Sequence, residues 1–139
     1  DDKLKMFSHG HSYTGNPLAC SAACASLDLF DKPETRSNIE QLMGFHTSFK
    51  SELEVFDCFE NIRQKGTILA FEVKTEEEDS YFNPIRNKLY DFFLSKEVLL
   101  RPLGNTVYLV PPYCITKDEY NVIKKVVLEL GEAIKNQEF

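Results

Sequence analysis

The sequence predicts an α+β fold, in which helices cover one face of a small, mostly antiparallel sheet. Three observations lead to this prediction. The chain has 139 residues, enough for one domain with a real hydrophobic core. Several segments carry apolar residues at helical spacing, while others are short and rich in β-branched and aromatic residues. Along the chain the order is helix, helix, strands, helix, hairpin, helix.

The first two helices are predicted from their start signals and from the spacing of their apolar residues. Asn16 is a good N-cap and Pro17 suits the first helical position, so a helix is predicted from Pro17 to about Phe30, where DKPE stops it. A second, amphipathic helix is predicted from Arg36 to Val55. His46 falls in its apolar stripe, and we interpret it as a packed core residue.

After the second helix the residue types change to those of strands. We predict strands at Ile62–Gln64 and Thr67–Val73, with Gly66 between them as a bend or bulge. The acidic run TEEED, Thr75–Asp79, is typical of a solvated turn.

The last third of the chain is predicted to hold a helix, a hairpin and a helix. Apolar spacing indicates a third helix over Pro84–Lys96. The residues PLGN favour a turn, so Val98–Arg101 and Thr106–Val110 are predicted to pair as a hairpin. A final amphipathic helix is predicted from Lys117 to about Lys135.

Composition excludes several functional classes. The net charge is −6 without a basic tract, which argues against nucleic-acid or anionic-membrane partners. No apolar run approaches the ~20 residues that span a bilayer, and no signal peptide is recognised, so a soluble, cytoplasmic protein is expected. The four cysteines lack a zinc-binding spacing and are predicted to be buried, reduced thiols: Cys20, Cys24, Cys58 and Cys114. No metal site is predicted.

The loop before the first helix is the first candidate binding site. In HGHSYTGNP, hydroxyls and backbone N–H groups precede a helix start, where a phosphate or carboxylate is favoured, and the anion is expected near Ser12. Gly10 and Gly15 would let the backbone approach a ligand closely. The alternative is a capped turn whose hydroxyls satisfy its own backbone. His9 and His11 have no evident carboxylate or cysteine partner for metal binding or acid–base chemistry.

Arg101 is the second candidate, because it lies at the end of an apolar segment beside a turn. A guanidinium there can hold a carboxylate through two parallel hydrogen bonds. The alternative is an ordinary surface arginine at a strand end. Tyr108 and Tyr113 are candidates to line the same pocket, although aromatic residues in strands more often belong to a core.

Two motifs in this sequence resemble a known family. The run HGHSYTGNPLACSAACASLDLF is similar to the segment that follows the Schiff-base lysine in class III, fold-type I pyridoxal-phosphate aminotransferases. The run RPLGNTVYLVPPYCIT is similar to the arginine-bearing hairpin near the C-terminus of the branch that acts in biotin synthesis. The resemblance covers Phe7 to Ile134.

The resemblance implies that the chain is the C-terminal portion of such an enzyme. Residues 1–16 would be an active-site loop segment of a truncated large domain, 17–34 a connecting helix, and 35–139 the small C-terminal domain. The start DDKLKM, without an initiator methionine, agrees with a fragment. No residue of the chain is predicted to be catalytic, because the family's Schiff-base lysine lies well upstream of the loop.

Four residues acquire roles by resemblance. His11 and Ser12 match the position that binds the phosphate of pyridoxal 5′-phosphate across a homodimer interface. Gly10 matches a backbone position that touches substrate, and Arg101 matches the clamp for the substrate carboxylate. Two departures are present: threonine is commoner than Ser12, and some relatives have proline in place of His11.

The implied reaction moves an amino group from S-adenosylmethionine to 7-keto-8-aminopelargonate, giving 7,8-diaminopelargonate. Without the lysine, the chain alone is predicted to be inactive. Two alternatives remain open: a related aminotransferase of the ornithine, acetylornithine or γ-aminobutyrate type, or a non-catalytic α+β binding module.

Overall fold

The computed structural model describes residues 9–75 and 83–139. These residues form four helices and three strands, in the order α1 (Pro17–Phe30), α2 (Pro33–Leu53), β1 (Phe59–Lys65), β2 (Ile68–Val73), α3 (Ile85–Ser95), β3 (Thr106–Leu109) and α4 (Lys117–Lys135). The chain divides into two compact units, one up to Arg36 and the other from Ser37 to Phe139. The three predicted domain segments, 1–16, 17–34 and 35–139, stay a prediction.

Helix α1 has the predicted bounds, but it buries none of its side chains. Asn16 caps it and Pro17 occupies the first helical position. Its larger apolar residues are exposed, Leu18 at 82% and Leu27 at 66%. The helix therefore owes its definition to local signals rather than to tertiary packing.

The three strands form one antiparallel sheet in the order β1-β2-β3. Gly66, with φ of 56°, lies in the turn between the paired residues Lys65 and Ile68. A left-handed residue is what a two-residue hairpin turn requires at this position, so the predicted bend at Gly66 is confirmed.

Strand β1 also contains a bulge, which the sequence did not reveal. Glu60 pairs with Glu72 and Arg63 pairs with Ala70, so two residues of β1 lie opposite one residue of β2. The first of the two, Asn61, has φ of 48°. Arg63 supports the bulge, because its Nη1 donates to the Asn61 carbonyl at 2.7 Å and lies 2.8 Å from the Glu72 carboxylate.

The hydrophobic core belongs to the Ser37–Phe139 unit. One face of the sheet contributes alternate residues, since Leu69 pairs with Leu109 and Phe71 with Val107, and all four are buried. Helices α2, α3 and α4 complete the core with Leu42, Phe49, Leu53, Leu89, Phe93, Val126, Val127 and Leu130. The predicted α+β fold is confirmed.

His46 is fully buried within this core, as predicted. Its Nε2 lies 3.1 Å from the carbonyl oxygen of Thr67, which can only accept, so Nε2 carries the proton and donates. Its Nδ1 therefore accepts from the hydroxyl of Tyr120 at 2.8 Å. Burial lowers the pKa of His46, against the smaller raising effect of the Thr67 carbonyl, and burial raises the pKa of Tyr120.

The predicted hairpin between Val98–Arg101 and Thr106–Val110 is wrong in its first strand. Residues 98–102 have no regular structure, because the Val98 N–H bonds to the Phe93 carbonyl at the end of α3 and Pro102 has no N–H to donate. Only the turn remains: Leu103 and Thr106 exchange two backbone hydrogen bonds around Gly104. Strand β3 pairs with β2 instead.

Three further predictions concern the cysteines, the acidic run and the possibility of a membrane-spanning helix. The prediction of buried thiols is wrong for Cys20, Cys24 and Cys114, which are exposed, while Cys58 is half-buried. The acidic run from 76 onward lies outside the described residues. Within 9–75 and 83–139, none of the helices is long and apolar enough to cross a membrane.

Candidate functional site

The loop ahead of α1 contains a closed four-residue turn. The Thr14 N–H donates to the His11 carbonyl at 3.0 Å, and the His11 N–H donates back to the Thr14 Oγ1 at 2.9 Å. Ser12 and Tyr13 are its two central residues. The two hydrogen bonds between His11 and Thr14 close the turn that contains Ser12.

The His11 ring is itself part of the turn. The Tyr13 N–H donates to His11 Nδ1 at 3.1 Å, so this nitrogen is an acceptor. The ring also lies beside two other aromatic rings, with centroid distances of 6.0 Å to His9 and 6.5 Å to Tyr13. His11 thus keeps only Nε2 for contact with a ligand.

The N-terminus of α1 is largely satisfied by its own cap. The Ala19 N–H donates to Asn16 Oδ1 at 3.0 Å, and the Cys20 N–H donates to the Asn16 carbonyl at 2.9 Å. Pro17 has no N–H, which leaves Leu18 as the first-turn donor that an anion can use. The predicted attraction of the helix start for an anion therefore depends on few amide groups.

Ser12 differs from its neighbours in the loop. Neither its hydroxyl nor its backbone N–H has a hydrogen-bond partner among the residues that the structure describes, and the residue is exposed. The capped-turn alternative thus describes Thr14 and Asn16, but not Ser12. Two adjacent donors of this kind fit a phosphate oxygen, so the loop has the donor chemistry that a phosphate group requires.

Gly10 and Gly15 leave the backbone open on either side of the turn. Apart from its chain neighbours, a Cβ built on either residue would meet none of the described residues within 4 Å. Gly15 also has φ of 72°, which an L side chain rarely adopts. None of the described residues therefore obstructs the approach of a ligand to the Gly10 backbone.

Arg101 lies in the irregular segment between α3 and β3 and is exposed. Its guanidinium has no ion-pair or hydrogen-bond partner within the described ranges. It is thus available for the bidentate carboxylate contact predicted for it.

The turn that follows Arg101 is fixed to the sheet by Asn105. Asn105 is buried, and its Nδ2 donates to the Val73 carbonyl at 3.2 Å while its own carbonyl accepts from the Val73 N–H at 3.0 Å. Sequence inspection did not single out Asn105. A polar residue after a turn glycine gives no indication of burial, which depends on how β2 and β3 pair.

The structure brings some of the predicted site residues together. Gly10, His11 and Ser12 belong to one loop, whereas Arg101 belongs to the other compact unit. Tyr108 is half-buried in β3 opposite Ala70, and Tyr113 is exposed. Thr14, whose hydroxyl closes the turn, was missed because composition does not tell which of several hydroxyls bonds to the backbone. The ligand roles of all these residues stay predictions.

The fold, the loop before α1 and the segment that holds Arg101 together define a class of protein. Residues 2–129 match the family described as aminotransferase class-III, and the chain belongs to this family.

Two individual members of this family are similar to the chain in sequence or in structure. The chain is 38% identical over 138 residues to the adenosylmethionine-8-amino-7-oxononanoate aminotransferase of Helicobacter pylori, covering 96% of this chain and 30% of that protein. It is similar in structure to the enzyme of the same name from Methanocaldococcus jannaschii, with a TM-score of 0.76, 31% identity and coverage of 94% and 30%.

A third likeness is to a structure with its cofactor. An amine transaminase from an uncultivated Pseudomonas species, in a form bound to pyridoxal phosphate, has a TM-score of 0.68 and 26% identity, covering 88% of this chain and 29% of that one. The chain thus spans about 30% of the length of the curated relatives it matches.

Proposed function

We propose that this chain is the C-terminal portion of a pyridoxal-phosphate-dependent aminotransferase of biotin synthesis. The whole enzyme transfers an amino group from S-adenosylmethionine to 7-keto-8-aminopelargonate, giving 7,8-diaminopelargonate. The observation that supports this most is the 38% identity, along almost the whole chain, to a protein named for that reaction. The unused donors of Ser12 and the unpaired Arg101 supply chemistry that such a reaction needs.

The loop residues bind the cofactor in this proposal. The Ser12 hydroxyl and N–H would hold the phosphate as donors, with the Nε2 of His11 as a further contact. Gly10 leaves space for the substrate beside the turn. Pyridoxal phosphate, when bound, supplies an electron sink for the charge that develops on the substrate. The lysine that moves the proton belongs to a part of the enzyme outside this chain.

Arg101 orients the substrate. Both the amino donor and the keto acid carry a carboxylate, and a planar guanidinium holds such a group through two parallel hydrogen bonds. A fixed carboxylate fixes the distance from the reacting carbon to the cofactor. Arg101 thus contributes to the use of either substrate, and it does not take part in proton transfer.

The proposed assembly is a cytoplasmic homodimer. His11 and Ser12 of one subunit complete the phosphate site of the neighbouring subunit, while Arg101 serves a site together with the partner's Ser12. Nucleic acid and membranes are not partners in this proposal.

Replacement of Arg101 in the full-length protein tests the substrate role. Arg101→Ala should lower kcat/KM for the carboxylate-bearing substrates by roughly 30-fold or more, the effect of leaving one member of a charged pair alone. Pyridoxal phosphate retention, measured by absorbance, should change little. Arg101→Lys is the matched control: it keeps the charge and should recover only part of the loss, because an ammonium cannot form the bidentate contact. Equal loss of cofactor and activity would contradict the proposal.

Mixed dimers test the sharing of the site. Dimers that combine one Ser12→Ala subunit with one Arg101→Ala subunit have one intact and one doubly altered site, if the two residues act across the interface. At cofactor and substrate concentrations that leave each variant homodimer nearly inactive, mixing the two variants under exchange should then restore about a quarter of the wild-type activity. No recovery in verified mixed dimers would show that both residues serve the same subunit's site.

The chain by itself should not convert the substrates. Purified chain, mixed with pyridoxal phosphate, S-adenosylmethionine and the keto acid, is expected to give no diaminopelargonate. If the full-length protein instead accepts ornithine, acetylornithine or γ-aminobutyrate in preference, the related aminotransferase alternative is correct.

A further inference from the structure

We propose that Thr14 is a positioning residue for the cofactor phosphate and acts through Ser12. This inference rests on the proposed function, because it requires that Ser12 contact the phosphate. Thr14 itself need not touch the ligand. Its hydroxyl closes the turn that presents Ser12.

The contacts of Thr14 support this role. Its Oγ1 accepts from the His11 N–H at 2.9 Å, and its own N–H donates to the His11 carbonyl at 3.0 Å. Both the N–H and the carbonyl of His11 are thereby hydrogen-bonded to Thr14. Ser12 and Tyr13 lie between His11 and Thr14, so these two hydrogen bonds constrain the backbone of both residues.

The His11 ring depends on the same arrangement. Its Nδ1 accepts from the Tyr13 N–H, which requires that the His11 backbone hold its position relative to Tyr13. Thr14 thus fixes the residues on both sides of Ser12. The N–H groups of His11, Tyr13 and Thr14 are all consumed inside the turn, while that of Ser12 is not.

The nearby polar residues do not duplicate this function. Asn16 uses its side chain on the Ala19 N–H, at the start of α1 rather than in the turn. Among the described residues, Thr14 is the side chain that bonds to the His11 N–H. Removal of this hydroxyl leaves an exposed N–H and a turn closed by one hydrogen bond.

The substitution Thr14→Val isolates the hydroxyl. Valine keeps the β-branched shape but has no acceptor, and Thr14→Ser keeps the acceptor without the methyl group. Loss of one neutral, exposed hydrogen bond corresponds to roughly a 3- to 10-fold change in an equilibrium constant. We therefore expect Thr14→Val to weaken pyridoxal phosphate binding by about this factor, and Thr14→Ser to restore it.

The measurement compares two probes in the full-length protein. The dissociation constants of pyridoxal phosphate and of pyridoxal, which lacks the phosphate, are determined by absorbance titration of the apoprotein. Thr14→Val should weaken binding of pyridoxal phosphate and leave pyridoxal unchanged. A purely structural role would weaken both equally, and that result, or no change in either, would overturn the inference.

Ser12→Ala separates this inference from the proposed function. If Ser12→Ala leaves pyridoxal phosphate binding unchanged, the assignment of the phosphate to the Ser12 hydroxyl fails. If Ser12→Ala weakens binding but Thr14→Val does not, only the role of Thr14 fails. If Thr14 acts through Ser12, the loss of affinity in the double variant should be smaller than the product of the two single losses.

Thr47→Val serves as the matched control. The Thr47 hydroxyl is also exposed and donates to the Met43 carbonyl at 2.9 Å, but it belongs to α2 in the other compact unit. Its removal should leave the dissociation constants of both probes at their wild-type values. An equal effect of Thr47→Val and Thr14→Val would mean that the probes report general stability, and the inference would be rejected.

Discussion

The two compact units of the chain are ordered by different means. In the unit up to Arg36, helix α1 buries no side chain, and the loop before it is held by hydrogen bonds between residues two or three positions apart. In the Ser37–Phe139 unit, buried side chains from three helices and three strands form a continuous core. The comparison teaches that the shape of the loop before α1 is a local property, whereas the position of Arg101 depends on a folded domain.

The largest expected difference between the units concerns truncation of apolar side chains. Phe71→Ala in β2 removes a ring that is fully buried, and we expect the free energy of unfolding to fall by about 3–5 kcal/mol. Leu18→Ala in α1 removes a side chain that is 82% exposed, so the change should stay within about 0.5 kcal/mol. Denaturant unfolding of this chain measures both, and equal effects would show that α1 packs in a core.

Two glycines give a smaller contrast within the second unit. A Cβ at Gly131 would lie 2.6 Å from Cδ1 of Phe56, so Gly131→Ala should destabilise the fold by about 1–3 kcal/mol. At Gly44 in α2 a Cβ meets no atom within 4 Å, and Gly44→Ala should stabilise by about 0.5–1 kcal/mol, since alanine favours helix. Thermal unfolding midpoints should move in opposite directions. A stabilising Gly131→Ala would mean that the Phe56 ring moves aside freely.

The helix caps of the two units sharpen the comparison. Thr116 forms a capping box with Glu119 at the start of α4, and Thr116→Ala should lower the global free energy of unfolding by about 1 kcal/mol. Asn16→Ala removes the cap of α1, which contributes no side chain to the core. It should reduce helical circular dichroism without changing the global transition. A shift of that transition by Asn16→Ala would contradict the local character of the first unit.

The smallest expected effect is a decrease in the free energy of unfolding at acid pH. Above pH 6.5, the ordinary pKa of histidine, His46 is neutral in both the folded and the unfolded chain. Burial lowers the pKa of His46 in the folded state, so as the pH falls through 6.5 the unfolded chain takes up a proton that the folded chain does not. The free energy of unfolding should therefore decrease on acidification. In His46→Gln this part of the pH dependence should disappear, and identical pH profiles would refute the assignment to His46.

Much of the fold was predictable where the signals are local. Helix α1 has the predicted bounds because Asn16 and Pro17 mark its start, and α4 has them because its apolar residues recur at helical spacing. The strand predicted at Val98–Arg101 failed because apolar composition does not reveal that the Val98 N–H is used by the end of α3. The partners of His46 could not be predicted either, since Tyr120 lies 74 residues away.

The candidate site shows the same limit. Residue types were enough to identify a loop suited to an anion and an arginine suited to a carboxylate. They did not show that Thr14 bonds to the backbone while Ser12 has no hydrogen-bond partner among the described residues. That distinction depends on the dihedral angles of the turn, which several hydroxyl-bearing sequences can share.

The bulge in β1 allows an unfavourable sequence to serve as an edge strand. In FENIRQK the buried Phe59 and the half-buried Ile62 are three positions apart, which simple alternation would send to opposite sides. The extra residue at Asn61 reverses the parity, so Arg63 and Lys65 remain exposed to solvent. Deletion of Asn61 would therefore leave a regular strand in which Ile62 alone lies opposite Phe71 and both cations still face solvent, whereas deletion of Asn61 together with Ile62 would turn both cations toward the apolar layer. Length variants of this strand among homologues should consequently differ by this one bulge residue.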